Sequence, residues 1–263
     1  MSDAPVLVTR DAGVATVQLN RPDAMNSLNV ATKEALLAAL QEVAEDAEVR
    51  VVVLTGSGRA FCVGQDLKEH VGLLKAQSDD LFRTVREHYN PIALLLATMN
   101  KPVIAAVNGV AAGAGASMAF ACDLRIVADT AGFNLAFTGI ALSCDTGSSW
   151  TLPRLVGTAK AKELLLMPRT VKADEALELG LATQVVPAAE LEATVRQLAT
   201  TLAAGPTVAY GSVRRAVDFS ASHDLAESLA NEGELMTLTG KTQDHADAVD
   251  SFLAKEKPTF HGR

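Results

Sequence analysis

Two stretches of this chain have the residue types of a backbone anion trap. Arg59-Ala60-Phe61-Cys62-Val63-Gly64-Gln65-Asp66-Leu67 follows the apolar run Val51-Val52-Val53-Leu54, and Asn108-Gly109-Val110-Ala111-Ala112-Gly113-Ala114-Gly115-Ala116-Ser117 follows Pro102-Val103-Ile104-Ala105-Ala106-Val107. In each, a buried strand delivers the chain into a glycine turn, and a helix is expected just beyond. A helix N-terminus leaves amide N–H groups unpaired and carries partial positive charge. Two such turns facing one another would form an oxyanion hole, in which each donor is worth about 3 kcal/mol of transition-state stabilisation. The Gly/Ala run reads equally as close packing of a helix on a sheet. Its spacing, Gly109-x-x-x-Gly113-x-Gly115, matches neither the dinucleotide nor the P-loop pattern, and Asp123 lies too near to bind a ribose.

A proton-transfer group is the second requirement. Asp145, in Leu142-Ser143-Cys144-Asp145-Thr146-Gly147-Ser148-Ser149-Trp150, has apolar bulk around it in Phe137, Ile140, Leu142 and Trp150. Desolvation there would favour a carboxylate that exchanges protons near neutral pH. The same residue reads as the N-cap of a helix starting near Gly147, and the two roles are compatible. Asp66 has a similar pair of readings, as a cap for the helix behind the first turn or as a neighbour of a bound ligand. Cys62, Cys122 and Cys144 are scattered, without a C-x-x-C pair, and Cys144 reads as a small buried side chain with no adjoining base. The five histidines form no metal-ligand spacing, so no metal is expected.

The elements that must position these groups follow from the pattern. Val14–Leu19, Arg50–Thr55, Pro102–Val107 and Leu124–Ala128 read as strands, and Val30 to about Ala47 as an amphipathic helix capped by Asn29. His70 to Asp80 is weakly periodic and reads as an irregular connection before a helix from about Leu81 to Thr98. Beyond about Leu191 the pattern is helical, notably Asp224–Leu238 and Asp244–Ala254. Strands alternating with helices predict an α/β fold, with a core over 1–190 and a helical region over 191–263. A 263-residue chain with 49% hydrophobic residues buries a large core. Its net charge of −8, from 23 basic and 31 acidic residues, opposes binding to nucleic acid. Met1-Ser2-Asp3-Ala4-Pro5 has no basic flank or apolar run, and no stretch elsewhere suits a membrane, so a cytoplasmic location is expected.

The paired motifs F-C-x-G-x-D-L and K-P-V-I-A-A-V-N-G-x-A-x-G-x-G resemble the signature of the crotonase, or enoyl-CoA hydratase/isomerase, superfamily. The likeness extends from Gln18-Leu19-Asn20-Arg21-Pro22 through Trp150-Thr151-Leu152-Pro153-Arg154-Leu155-Val156-Gly157 to Phe260. It implies a crotonase-like spiral of ββα units, an acyl-CoA substrate whose coenzyme A is its own carrier, no other cofactor, and assembly as trimers or pairs of trimers through the C-terminal helices. The oxyanion donors would be the N–H groups of Gln65 and Ala114, with Ala114 in place of a common glycine. Ala24, Met25, Asn26, Cys62, Gly64, Asp66, Leu67 and Gly113 would border the substrate, with Asn90 and Phe137 at the acyl group and Phe260 and Arg263 contributed by the C-terminal segment. The two glutamates of the family's hydratases match Ser117 and Phe137, neither of which can accept a proton as a carboxylate does. An acid at the Asp145 position resembles the base of the isomerases, above all the ring-epoxide isomerases of phenylacetyl-CoA breakdown, supported by Tyr89-Asn90-Pro91. The dehalogenase branch uses that position as a nucleophile, but its Trp and His correspond to Phe137 and Asn90 here.

Overall fold

The structure is a computed structural model that describes residues 4–76 and 81–263. The chain lays down β1 (Val6–Asp11), β2 (Val14–Leu19) and α1 (Val30–Glu45), then β3 (Val51–Gly56), β4 (Ala60–Cys62) and α2 (Leu67–Lys75). A π-turn over Val85–Tyr89 leads into α3 (Asn90–Thr98), followed by β5 (Val103–Val107), β6 (Val110–Ala112) and α4 (Ala114–Ala121). Next come β7 (Leu124–Ala128), β8 (Gly132–Asn134) and α5 (Ser148–Leu166), then β9 (Thr170–Lys172), α6 (Ala173–Glu178) and β10 (Gln184–Val186). The helices α7 (Leu191–Ala203), α8 (Thr207–Ser220), α9 (Leu225–Thr239) and α10 (Gln243–Ala254) complete the chain.

Two sheets result, ordered β1-β2-β3-β5-β7-β10 and β4-β6-β8-β9. Each ββα unit from β3 onward gives its first strand to the large sheet and its second to the small one, so the units climb as a spiral. In the large sheet β3 and β5 have parallel neighbours on both sides and their apolar side chains are buried. That burial is why they read as continuous apolar runs rather than as alternating ones. By contrast β2 alternates, with Ala15, Val17 and Leu19 inward. The expected strands and α1, with Asn29 accepting from the Thr32 amide, are present to within a residue or two.

Three expectations change. The β1 strand, paired antiparallel with β2, adds an edge that the sequence reading omitted. The weakly periodic segment after His70 is helical as far as Lys75, because Asp66 caps it; residues 77–80 lie outside the described residues, as do Met1 to Asp3. After residue 191 the helices differ in their packing: α7 lies on β3, β5 and β7, whereas α8 and α9 pair with one another.

The helix α4 is buried on every side, as its sequence AGASMAFA requires. A Cβ on Gly115 would stand 2.1 Å from the Cys62 carbonyl oxygen, so the glycine is what lets α4 press against the end of β4. The close-packing reading of the Gly/Ala run therefore holds at Gly115, while Gly113 serves the turn.

Candidate active site

Parallel pairing of β4 with β6, Ala60 beside Val110 and Cys62 beside Ala111, brings the two glycine turns together. Neighbouring strands lie about 4.8 Å apart, and both chains leave the sheet in the same direction. A Cβ on Gly64 would stand 2.9 Å from the Ala112 carbonyl oxygen and 3.3 Å from the Ala114 nitrogen, so the turns are in contact.

The direction of each amide follows from its peptide plane, in which C=O and N–H point opposite ways. The Gly64 carbonyl accepts from the Leu28 amide at 2.8 Å, and the Asp66 amide donates to the Leu28 carbonyl at 3.1 Å, which turns the Gln65 N–H away from Leu28. The Gly113 carbonyl accepts from the Ser117 amide and hydroxyl, both at 3.0 Å, along α4, so the Ala114 N–H points out of the helix N-terminus. Among the described residues neither amide has an acceptor. Gly64 at φ +80° and Gly113 at φ +51° hold backbone that a side chain would strain. Two unpaired donors on adjacent turns, one at a positive helix end, have the chemistry to receive a developing oxyanion.

The first turn is built on a polar scaffold. Asn26, fully buried at φ 56°, donates to the carbonyls of Ala60 at 2.7 Å and Ser57 at 2.9 Å. Asp66 accepts from the amides of Lys68 and Glu69, from Arg21 at 3.0 Å and from the Ser27 hydroxyl at 3.1 Å. Burial pushes its carboxyl upward, but these donors prevail and hold it below the usual range. Asp66 is thus a helix cap, with these donors on its carboxylate. The Gln65 carboxamide oxygen accepts from the Tyr89 hydroxyl at 2.5 Å and from Lys33 Nζ at 3.2 Å.

Asp145 does not cap a helix. Gly147, at φ +81°, occupies the N-cap of α5, and the Asp145 carboxylate accepts from the Thr146 hydroxyl at 2.8 Å. Burial raises its carboxyl above the ordinary range, opposed in part by that hydrogen bond. Thr146 sits at φ +52°, an outlying conformation for a β-branched residue that costs about 1–3 kcal/mol and marks this loop as strained. Ser148, at the start of α5, bonds the Ser117 hydroxyl at 2.5 Å, which ties the Asp145 loop to the helix of the second turn. Burial foremost, and then the charges of Asp145 and Glu69, drive the Tyr89 phenol upward, so it stays protonated and donates to the Gln65 side chain of the first turn. Phe137 is buried, and a Cβ on Gly113 would stand 4.0 Å from its ring.

The remaining site residues divide. Met25 and Leu67 are exposed beside the first turn, Ala24 is half-buried, and the Met25 carbonyl accepts from the Val63 amide. The Cys62 thiol is buried and pushed up to about 12, an inert group. Asn90 is exposed, and its neighbour Tyr89 occupies the inward position instead. Phe260 and Arg263 do not reach this site within one chain. Arg50, just before β3, binds the Phe260 carbonyl, and the Asp244 amide donates to the Arg263 carbonyl. The turns lie past the other end of β3, about 17 Å away along a six-residue strand. Lys33 and Glu69 were not identified from the sequence, since a lysine in an amphipathic helix normally faces water. Among the described residues no set of His, Cys, Asp or Glu side chains could hold a metal ion, and no helix is long and apolar enough to cross a membrane.

Residues 9–263 match a family described as Enoyl-CoA hydratase/isomerase. The chain is 40% identical to the 1,2-epoxyphenylacetyl-CoA isomerase of Escherichia coli over 96% of its own length and 97% of that protein's. It is 42% identical to a protein of Rhodobacter capsulatus named "Probable enoyl-CoA hydratase", with 95% of each covered. Its fold superposes on the crystal structure of an enoyl-CoA hydratase from Bacillus anthracis with a TM-score of 0.90 at 34% identity, covering 98% of this chain and 100% of that one.

Proposed function

Because the chain belongs to the enoyl-CoA hydratase/isomerase family, we propose that it is an acyl-CoA isomerase working through a thioester enolate, with Asp145 as the base and the amides of Gln65 and Ala114 holding the enolate oxygen. The observation that carries this reading is a half-buried carboxylate, raised above its ordinary range, on a loop tied to the second oxyanion turn. The two amides draw electron density onto the thioester oxygen and acidify the α-carbon, and Asp145 takes the proton and returns it elsewhere on the acyl chain. The thioester is the electron sink, so the step calls for no metal or redox cofactor, and coenzyme A arrives with the substrate. Ser117, bonded to Ser148, and Phe137, buried beside Gly113, stand where the resemblance puts the two hydratase glutamates, which disfavours water addition by a carboxylate pair. The E. coli relative's name supports an aryl-acetyl-CoA with a ring epoxide as substrate, and the family's description supports an unsaturated acyl-CoA. The R. capsulatus relative's name supports the alternative of an enoyl-CoA hydratase, which in this chain would use the single carboxylate of Asp145.

Incubation with enoyl-CoAs in deuterated water separates these. Migration of the double bond with deuterium incorporation is expected; hydration without migration would overturn the isomerase assignment. Binding with neither reaction would make the chain a non-catalytic acyl-CoA binder.

The same proposal includes assembly as a homotrimer or a pair of trimers in the cytoplasm. Val213, Val217, Leu225, Met236, Phe252 and Leu253, on α8 to α10, are all more than half exposed, apolar side chains of the kind that subunit interfaces cover. Light scattering is expected to return a mass three or six times that of one chain, and a monomeric mass would refute this.

A further inference from the structure

We propose that Tyr89 and Lys33 are positioning residues for the oxyanion hole, clamping the Gln65 side chain and thereby aiming its main-chain amide. The inference rests on the role assigned to that amide above. The Gln65 carboxamide is held at both ends: its oxygen accepts from Tyr89 at 2.5 Å and Lys33 at 3.2 Å, and its nitrogen donates to Glu69 at 3.2 Å and to the Asp66 carbonyl at 3.4 Å. Lys33 also bonds Glu69 at 3.3 Å, so α1, α2 and the π-turn meet at this one side chain.

The burial of these partners argues that they are there for the bonds. Lys33 is 1% exposed and Tyr89 2%. A buried ammonium or phenol is unfavourable unless its donors are used, and Gln65 and Glu69 are what use them. Burial draws the Lys33 ammonium below its ordinary value against the pull of Glu69, as expected for a group held by its partners and not by water. The π-turn supplies the geometry: its extra residue per turn swings Tyr89 inward, toward Gln65, and leaves Asn90 outside. Packing alone does not hold Gln65, because a cavity of about 230 Å³ lined by Lys33, Gln65, Glu69, Leu73, Leu81 and Thr84 opens on that side. The main-chain bonds to Leu28 set the peptide plane, and these side-chain hydrogen bonds hold it in that position. Misplacing a catalytic donor by about 1 Å can cost as much as 10²-fold in rate.

The test uses the carbonyl stretch of bound benzoyl-CoA, a thioester with neither an α-proton nor an alkene to react, together with turnover of an enoyl-CoA. The wild type is expected to lower the stretch on binding. Tyr89→Phe is expected to lose part of that shift and about tenfold in kcat, with KM changed by less than about twofold. Lys33→Met should act in the same direction. In a Gln65→Met background, which keeps the amide and lacks the carboxamide, adding Tyr89→Phe should do no further harm. A full carbonyl shift in Tyr89→Phe, or an equal loss of kcat in both backgrounds, would overturn the inference, whatever the effect on melting temperature. A wild type with no carbonyl shift would instead refute the oxyanion hole itself.

Discussion

Asp145→Asn is expected to lower kcat by about 10²–10⁴-fold, the range for loss of a general base, while acyl-CoA still binds. The amide fills the same volume and can still accept from Thr146, but it cannot take a proton. The pH profiles should differ in kind. Wild-type kcat/KM should fall on the acid side as Asp145 is protonated, at a pH above that of an ordinary aspartate because burial has raised its carboxyl. The variant should lose that limb. Stability should move the other way. A carboxyl raised by burial binds its proton more tightly in the folded chain than in the unfolded one, so between the two values stability falls as pH rises. Above the raised value the folded protein carries the full cost of a partly desolvated charge, which Asn lacks. The variant is therefore expected to melt at a higher temperature at neutral pH, with the difference closing as pH drops from the raised value to that of an ordinary aspartate. Steady-state kinetics and thermal melts across pH check both, and a variant with wild-type turnover would remove Asp145 from the mechanism.

Gly64→Ala is expected to lower kcat by about 10²–10³-fold, the cost of losing one oxyanion donor. Two effects combine. Gly64 is at φ +80°, where an L-side chain costs about 1–2 kcal/mol. The new Cβ would also stand 2.9 Å from the Ala112 oxygen and 3.3 Å from the Ala114 nitrogen, both main-chain atoms that cannot rotate aside. The turns must separate, and the shared oxygen can then touch only one of them. Calorimetry with an acyl-CoA should show that binding survives, since most of the coenzyme lies outside the hole. A kcat within about threefold of wild type would show that the amides of Gln65 and Ala114 do not act together.

How much of this was legible in the sequence depended on the range of the interactions involved. Strands buried on both faces announce themselves as apolar runs, so β3, β5 and β7 were readable, and the cap at Asn29 sits within three residues of the amide it serves. The glycine turns were readable for the same local reason. The three-residue strands β4, β6 and β8 were not, because a period of two needs more residues to show itself. Nor was the choice at Asp145 and Asp66: each sits just before a helix, yet Asp66 caps its helix and Asp145 leaves that place to Gly147.

By itself, then, the sequence determined where the two glycine turns stand and that an aspartate follows them among apolar residues, because these depend on residue type and near neighbours; the proposed amides at Gln65 and Ala114 came from the resemblance. Tertiary structure decided what converges. The pairing of β4 with β6 places Gln65 beside Ala114 across 49 positions, and Lys33, Gln65 and Tyr89 meet from three separate elements. The same packing holds Phe260 and Arg263 at the far end of the sheet. Contacts between distant positions depend on how strands pair and helices pack, and no local pattern of residues encodes that geometry.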